Sequence, residues 1–104
     1  LWVADDGDDK VYAYTLATGA HNAAKDIDLD AANSSPFGFW SNGTTLWVSD
    51  YNDTRIFAYT LATGVRNAAK DITTRSVIRG IWSDGVTIWG SVLTFTKIVA
   101  YQLE

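Results

Sequence analysis

An internal repeat constrains the fold of this chain more than any other sequence feature. Residues 1–27 and 46–72 are identical at 18 of 27 aligned positions. A degenerate third copy follows, and Trp2, Trp47 and Trp89 occupy equivalent positions in the three copies. A repeat of a few tens of residues is typical of folds in which one small unit cannot bury its own apolar surface and stacks on its neighbours.

The copies differ in length at one place. Trp2 and Trp47 are 45 residues apart, whereas Trp47 and Trp89 are 42 residues apart. The three additional residues lie around Asn33–Pro36, where the copies diverge, and surface loops are where insertions are tolerated best. We therefore expect this stretch to form a surface loop.

Each copy is predicted to form four short strands, a to d, without a long helix. Asn42-Gly43 and Asp84-Gly85 follow strand a, and such dipeptides are strong hairpin signals. Strand c is rich in β-branched and aromatic residues, and a Thr-Gly turn separates it from d. The predicted ranges are 37–41 and 80–83 for a; 1–4, 46–49 and 88–91 for b; 10–16, 55–61 and 97–103 for c; and 23–28 and 68–73 for d.

Four short antiparallel strands in about 42 residues match the period of one β-propeller blade. The predicted fold is all-β, with about two and a half four-stranded antiparallel blades forming a single partial propeller unit over residues 1–104. Strand c is mostly apolar on both faces, as expected of a sheet packed between two others. The recurring tryptophans are accordingly expected to pack between blades. Blade 1 covers strands b to d in 1–30, blade 2 strands a to d in 35–73, and blade 3 strands a to c in 78–104.

The pattern G-x-W-S-[DN]-G-x-T-[LI]-W-V-x-D, followed by A-Y-x-L-A-T-G, resembles propeller repeats of secreted and surface-anchored microbial proteins. Gly38, Trp40 and Asn42 carry the resemblance at one end of the repeat, and Tyr59 and Gly64 carry it at the other. The resemblance implies an extracellular or cell-surface location. It is specific for a blade but not for an activity, because such repeats occur mostly without a known one.

Two and a half blades cannot close a ring, because propellers close with about four to eight. Apolar blade faces and strand edges are then left exposed, which favours association. We expect the partner to be either further copies of the chain, in a ring or a head-to-tail filament, or the remainder of a longer propeller chain. The sequence starts with Leu1 and shows no signal peptide, as expected of a fragment or a processed product.

The loop between strands b and c changes character in the third copy. Acidic residues are frequent in this loop in the first two copies, whereas the third has Val92, Leu93 and Phe95. Large apolar side chains in place of carboxylates predict a loop that contacts protein rather than water. These three residues are the predicted interface, and neutral drift in a terminal blade is the alternative.

The same loop in the first copy is a candidate metal site. Asp5, Asp6, Asp8 and Asp9 lie within five residues, and Gly7 permits a tight bend. Clustered carboxylates suit a hard cation such as Ca²⁺, which takes about six to eight oxygen ligands. The spacing does not match an EF-hand loop, and a solvated hairpin loop is the alternative. No other cofactor is expected.

The sequence contains candidate sites for attached glycans and one candidate residue for binding a glycan ligand. Asn33, Asn42 and Asn52 begin N-x-[ST] sequons and are predicted glycosylation sites, with Asn33 favoured because it lies in the insertion. Asn42 is already explained by its hairpin turn. Tyr51 is the predicted ligand-contacting residue of a lectin-like propeller that binds one glycan per blade.

Composition excludes several classes of protein. The absence of cysteine excludes disulfides, thiolate metal sites and a cysteine nucleophile, and the single histidine, His21, excludes multi-histidine sites within one chain. A net charge of −4 argues against nucleic acid or anionic lipid as a partner. No apolar run approaches the roughly 20 residues that membrane insertion requires.

The sequence therefore favours a non-enzymatic extracellular module for scaffolding, adhesion or polymeric assembly, because no catalytic constellation rises above chance. A lectin-like glycan-binding propeller is the first alternative. A fragment of a metal-dependent lactonase-like propeller enzyme, with the metal on the aspartate loops, is the second.

Overall fold

The computed structural model describes residues 1–92, 94 and 96–103, and this part of the chain is all-β, as predicted. Its ten strands form three antiparallel sheets: sheet 1 in the order β1-β2-β3, sheet 2 in the order β4-β5-β6-β7 and sheet 3 in the order β8-β9-β10. The strands are β1 (Trp2–Asp5), β2 (Lys10–Ala13), β3 (Ile27–Asp28), β4 (Pro36–Ser41), β5 (Thr45–Asp50), β6 (Arg55–Thr60), β7 (Ile72–Thr73), β8 (Ile78–Ser83), β9 (Thr87–Val92) and β10 (Ile98–Gln102).

The predicted hairpin turns are present. Gly43 and Gly85, between the first two strands of sheets 2 and 3, have φ values of 94° and 96°, which an L side chain rarely adopts. The Asn42 Oδ1 atom accepts hydrogen bonds from the backbone N–H groups of Thr44 and Thr45 and so closes the first of these turns. The dipeptides therefore set the register of both hairpins through backbone conformation and a side-chain cap.

Strand d is shorter than predicted. Residues Ala23–Lys25 and Ala68–Lys70 form 3-10 turns, and only Ile27–Asp28 and Ile72–Thr73 pair as strands. The Asp26 carboxylate accepts the backbone N–H of Ala13 at 2.9 Å, and Asp71 accepts that of Ala58 at the same distance. A side chain thus replaces the carbonyl of a longer strand d.

Each sheet has two faces, which we name by their recurring residue. The Trp face carries Trp2 in sheet 1, Trp47 in sheet 2 and Trp89 in sheet 3. The Leu face lies opposite, because successive residues of a strand point to opposite sides. It carries the residues one position before each tryptophan: Leu1, Leu46 and Ile88.

The first core cluster lies between sheets 1 and 2. Val11 and Ile27, on the Trp face of sheet 1, pack with four fully buried residues of the Leu face of sheet 2. Those four residues are Leu46, Val48, Phe57 and Tyr59. Trp2 packs against the edge of this cluster, so the Trp face of one sheet meets the Leu face of the next.

The second core cluster repeats the arrangement between sheets 2 and 3. Trp47, Ile56 and Ala58, on the Trp face of sheet 2, pack against Ile88 of sheet 3, with Tyr101 at the margin. Sheet 2 is therefore buried on both faces. This confirms for the middle sheet the expectation drawn from its two-sided apolar pattern and from Trp47.

Sheets 2 and 3 approach most closely at two glycine-containing strands. A Cβ atom on Gly38 would lie 2.4 Å from the Arg79 carbonyl oxygen, so β4 and β8 touch backbone to backbone there. The Ser49 hydroxyl donates to the same carbonyl oxygen at 2.7 Å and accepts the Gly38 N–H at 2.9 Å. A small residue and a bridging hydroxyl therefore hold the two sheets together.

The insertion before β4 is not wholly exposed. Asn33 is fully buried, and its Nδ2 donates to the Tyr59 hydroxyl at 3.0 Å. The backbone N–H of Asp30 donates to the same hydroxyl, also at 3.0 Å. The expectation of a surface loop is therefore wrong for Asn33, because this segment supplies the polar partners of a buried tyrosine.

Candidate functional site

An aromatic groove lies between the β1–β2 loop of sheet 1 and the start of β4 in sheet 2. It has a volume of about 380 Å³ and is lined by Asp6, Ser35, Pro36, Phe37 and Tyr51. The rings of Phe37 and Tyr51 stack with centroids 5.9 Å apart and planes 22° from parallel. Both rings are about half exposed, so they present an aromatic platform beside a carboxylate.

Hydrogen bonds around the buried Asp50 side chain hold the two loops that carry this platform. The Asp50 carboxylate, which is buried, accepts the backbone N–H of Ser35 at 3.0 Å and that of Asn52 at 2.7 Å. The Asn52 Nδ2 atom donates to the Ser35 hydroxyl at 2.8 Å. Sequence reasoning missed Asp50. Its repetition as Asp5, in a loop that changes at three of five positions between the two copies, was the available signal.

A cation supports the platform from sheet 3. The guanidinium carbon of Arg79 lies 4.9 Å from the centre of the Phe37 ring, within the range of a cation–π interaction. The groove thus combines aromatic surface with the Asp6 carboxylate and the Ser35 hydroxyl. A ligand with one apolar face and several hydroxyl groups matches that set of contacts.

The four aspartates predicted as a Ca²⁺ site are spread over different contacts. Asp5 Oδ1 accepts the N–H groups of Gly7 and Asp8, and Asp8 accepts the Tyr12 hydroxyl, which raises the pKa of Tyr12 to about 12. Asp6 lines the aromatic groove, and Asp9 has a φ of 50°. Within the described residues, no three His, Cys, Asp or Glu residues are grouped as a metal site. Ca²⁺ binding here stays a prediction.

The three sequons occupy different environments. Asn33 is buried with its Nδ2 donating to Tyr59, and a glycan on that nitrogen would displace this packing, which argues against Asn33 as the favoured site. Asn42 and Asn52 are exposed. They stay predicted glycosylation sites.

The predicted interface loop is described only in part. Leu93 and Phe95 lie outside the described residues. Val92 ends β9, is 7% exposed, and donates its backbone N–H to the Lys97 carbonyl oxygen at 3.1 Å. Val92 is therefore an internal residue of sheet 3, and its burial argues against a contact between chains.

The Trp face of sheet 3 is uncovered. Trp82 and Trp89 stack with centroids 5.3 Å apart, as Trp40 and Trp47 do at 5.6 Å in sheet 2. Trp47 is buried beneath sheet 3, whereas Trp82 is 60% exposed. Within the single chain, Trp82 therefore has no covering sheet, and the expectation that it packs between blades stays a prediction.

The Leu face of sheet 1 is uncovered as well. Leu1 and Val3 are exposed, whereas their equivalents in sheet 2 lie in the first core cluster. Leu16 is 81% exposed, although Leu61 at the equivalent position packs against that cluster. The two ends of the stack of sheets thus expose the two different faces.

Polar contacts distinguish the Leu faces of sheets 1 and 2. Arg66, over the Phe57 ring, bonds to Asp71 and reaches Asp30 at 3.2 Å, so it ties sheet 2 to the segment that leaves sheet 1. His21 occupies the equivalent position in sheet 1 and bonds to Asp26 at 2.8 Å, beside the Tyr14 ring. The Ala13 N–H and then His21 lower the pKa of Asp26.

No family model, curated protein or solved structure matches this chain. The chemistry of its surfaces is therefore the basis for assigning a function. Within the described residues, no helix combines the length and apolar character that a bilayer crossing requires.

Proposed function

We propose that this chain is a non-enzymatic structural module of β-propeller type, in which the three sheets are blades, and that copies associate through the uncovered blade faces. An extracellular or cell-surface location belongs to the same proposal. The resulting assembly is a ring or a filament. The resemblance of the repeats to those of surface proteins and the three-sheet architecture support it.

One observation carries the proposal. Ile56 on the Trp face of sheet 2 is 0% exposed, and Ile98 at the equivalent position of sheet 3 is 70% exposed. The Trp face of sheet 3 therefore resembles the buried Trp face of sheet 2 but is exposed to solvent. Contiguous apolar surface of this kind is typical of interaction sites.

The decisive measurement is the particle mass as a function of concentration. Sedimentation velocity should show species larger than the 11.4 kDa chain, with their share rising as the concentration is raised. Ile98→Asp should shift the protein towards the monomer, because it places a charge in the contact. Val65→Asp is the matched control: Val65 is 63% exposed, lies in a turn of sheet 2 and should leave the distribution unchanged.

A monomer at every concentration for the unaltered chain would refute the assembly proposal. Equal effects of the two aspartate variants would also count against it, since added charge alone would then explain the change. Circular dichroism confirms that each variant is folded before its mass is interpreted.

The aromatic groove favours a second candidate function, which is binding of a neutral saccharide. Its volume falls within the range of about 300–1,000 Å³ that is usual for small-molecule sites. The apolar face of a sugar ring would stack on Tyr51 and Phe37, while the Asp6 carboxylate would accept hydrogen bonds from sugar hydroxyls.

An array of neutral oligosaccharides, followed by calorimetric titration of any sugar retained, tests this second function. Tyr51→Ala should abolish binding and leave association unchanged, whereas Trp82→Ala should weaken association and leave sugar binding unchanged. Failure of every arrayed sugar to bind would refute saccharide recognition without affecting the assembly proposal. No feature of the described residues favours the alternative of a metal-dependent lactonase-like enzyme.

A further inference from the structure

We infer that two copies associate head to tail: the Trp face of sheet 3 in one copy packs on the Leu face of sheet 1 in the next. This inference rests on the proposed function and specifies the partner surface and the polarity of the assembly. The partner is a second copy of this chain, because the chain itself contains both halves of the contact.

The template for the contact occurs twice inside the chain. The Trp face of sheet 1 packs on the Leu face of sheet 2 in the first core cluster. The Trp face of sheet 2 packs on the Leu face of sheet 3 in the second. Stacking one more sheet by the same rule places a Leu face on the uncovered Trp face of sheet 3.

The two uncovered faces supply the residues that the template uses. On sheet 3, Ile98 and Trp89 stand where Ile56 and Trp47 contribute to the second cluster. On sheet 1, Leu1, Val3 and Leu16 stand at the positions of three residues that contribute to the first cluster or pack against it. Those three residues are Leu46, Val48 and Leu61.

A face-to-face dimer has no such template. It would join Trp face to Trp face or Leu face to Leu face, and neither pairing occurs between the sheets of this chain. Contact between two different faces leaves one free face on each end of every open oligomer. Such heterologous contacts produce closed rings when the rotation closes and open filaments when it does not.

The contact between copies should be weaker than the one between sheets 2 and 3. Sheet 1 has no strand equivalent to β4 among its three strands, so nothing in it corresponds to the close approach at Gly38. The Ser91 hydroxyl, equivalent to Ser49, bonds to Gly80 within its own sheet and is exposed on the outer face. We therefore expect association to be reversible on dilution.

A complementation experiment tests the polarity. Ile98→Asp blocks the Trp face of sheet 3, and Val3→Asp blocks the Leu face of sheet 1; both positions are exposed in the single chain. Each variant alone should be monomeric by native mass spectrometry and sedimentation. An equimolar mixture should form a one-to-one heterodimer and nothing larger, because the heterodimer has only blocked faces left at its ends.

The outcomes separate this inference from the proposed function. Association of either variant alone, or no heterodimer from the mixture, would overturn the head-to-tail contact if the unaltered chain still associates. A monomeric unaltered chain would instead overturn the proposed function. Near-ultraviolet circular dichroism checks that both variants fold, and the milder pair Ile98→Ser and Val3→Ser, which should weaken self-association several-fold, replaces them if either does not.

Discussion

The Trp face of sheet 2 and the Trp face of sheet 3 carry similar residues at equivalent positions, but only the first is covered by another sheet. Gly38, Ser49 and Ile56 of sheet 2 correspond to Gly80, Ser91 and Ile98 of sheet 3. In sheet 2, Gly38 contacts the backbone of β8, Ser49 bridges β4 and β8, and Ile56 lies in the second core cluster. The three equivalent residues of sheet 3 face solvent. The repeat therefore specifies a face, and the presence of a neighbour decides what that face contributes to stability.

The sharpest difference should come from glycine substitution. Gly38→Ala places a Cβ 2.4 Å from the Arg79 carbonyl oxygen, so sheets 2 and 3 must separate. We expect a loss of about 4 kcal/mol or more of unfolding free energy in urea denaturation. Gly80→Ala adds a Cβ in ordinary contact with the Ser91 hydroxyl, 3.5 Å away, and should cost less than about 0.5 kcal/mol. Equal losses would mean that the backbone contact does not distinguish the two faces.

The next largest difference should come from the equivalent isoleucines. Ile56→Ala removes a fully buried side chain and should cost about 3 kcal/mol, because it removes apolar burial and leaves a cavity. Ile98→Ala should change unfolding free energy by no more than about 0.5 kcal/mol when measured on dilute monomer. A comparable cost for both would show that sheet 3 is covered even in the monomer.

The hydroxyl groups of two equivalent tyrosines extend the comparison to the Leu faces. Burial raises the pKa of Tyr59, whose hydroxyl accepts the Asp30 N–H and the Asn33 side chain. Tyr59→Phe leaves these two donors without their acceptor and should cost about 1–3 kcal/mol by thermal unfolding. Tyr14, beside His21 on the uncovered face of sheet 1, is the control, and Tyr14→Phe should be close to neutral.

The smallest effect should be electrostatic. The Ala32 N–H and the Arg66 guanidinium lower the pKa of Asp30. A carboxyl with a lowered folded-state pKa stabilises the fold above its unfolded value of about 3.9, and this stabilisation is lost as pH falls through the folded value. Asp30→Asn should therefore reduce the loss of stability between pH 7 and pH 3. The effect should be modest because Asp30 is partly exposed.

Ionic strength provides the control for that prediction. The backbone N–H groups of Thr87 and Val86 lower the pKa of Asp84 in the β8–β9 turn. Asp84→Asn should likewise reduce the acid-side loss, but salt should weaken only the Asp30 contribution, which includes an ion pair. Equal salt sensitivity of the two contributions would contradict a role for Arg66.

Much of the local structure followed from the sequence. Glycine dipeptides predicted the hairpins, because their positive φ is a local property. Strand d was predicted too long, since the acceptor of Ala13 is the Asp26 side chain and not a strand carbonyl. Ligand contact by Tyr51 stays a prediction. Its stacking partner Phe37 was missed, because the two rings come from segments 14 residues apart in the sequence.

The repeat did not predict which individual residues are buried. Asn33 looked like a surface residue of an insertion, but Tyr59 of sheet 2 holds it in the interior. Val92 looked like an external contact, but the packing of sheet 3 buries it. In both cases the deciding contact is made through packing that the local sequence does not report.

By itself, the sequence determined the strands, their turns and the two apolar faces of each sheet, because alternation and turn conformation depend on neighbours along the chain. Only the tertiary structure decided that Ile56 is covered and its equivalent Ile98 is not, and that Tyr59 receives two donors. The physical reason is that burial and long-range hydrogen bonds depend on which surfaces are brought together, and identical residues in a repeat have different partners at its middle and at its ends.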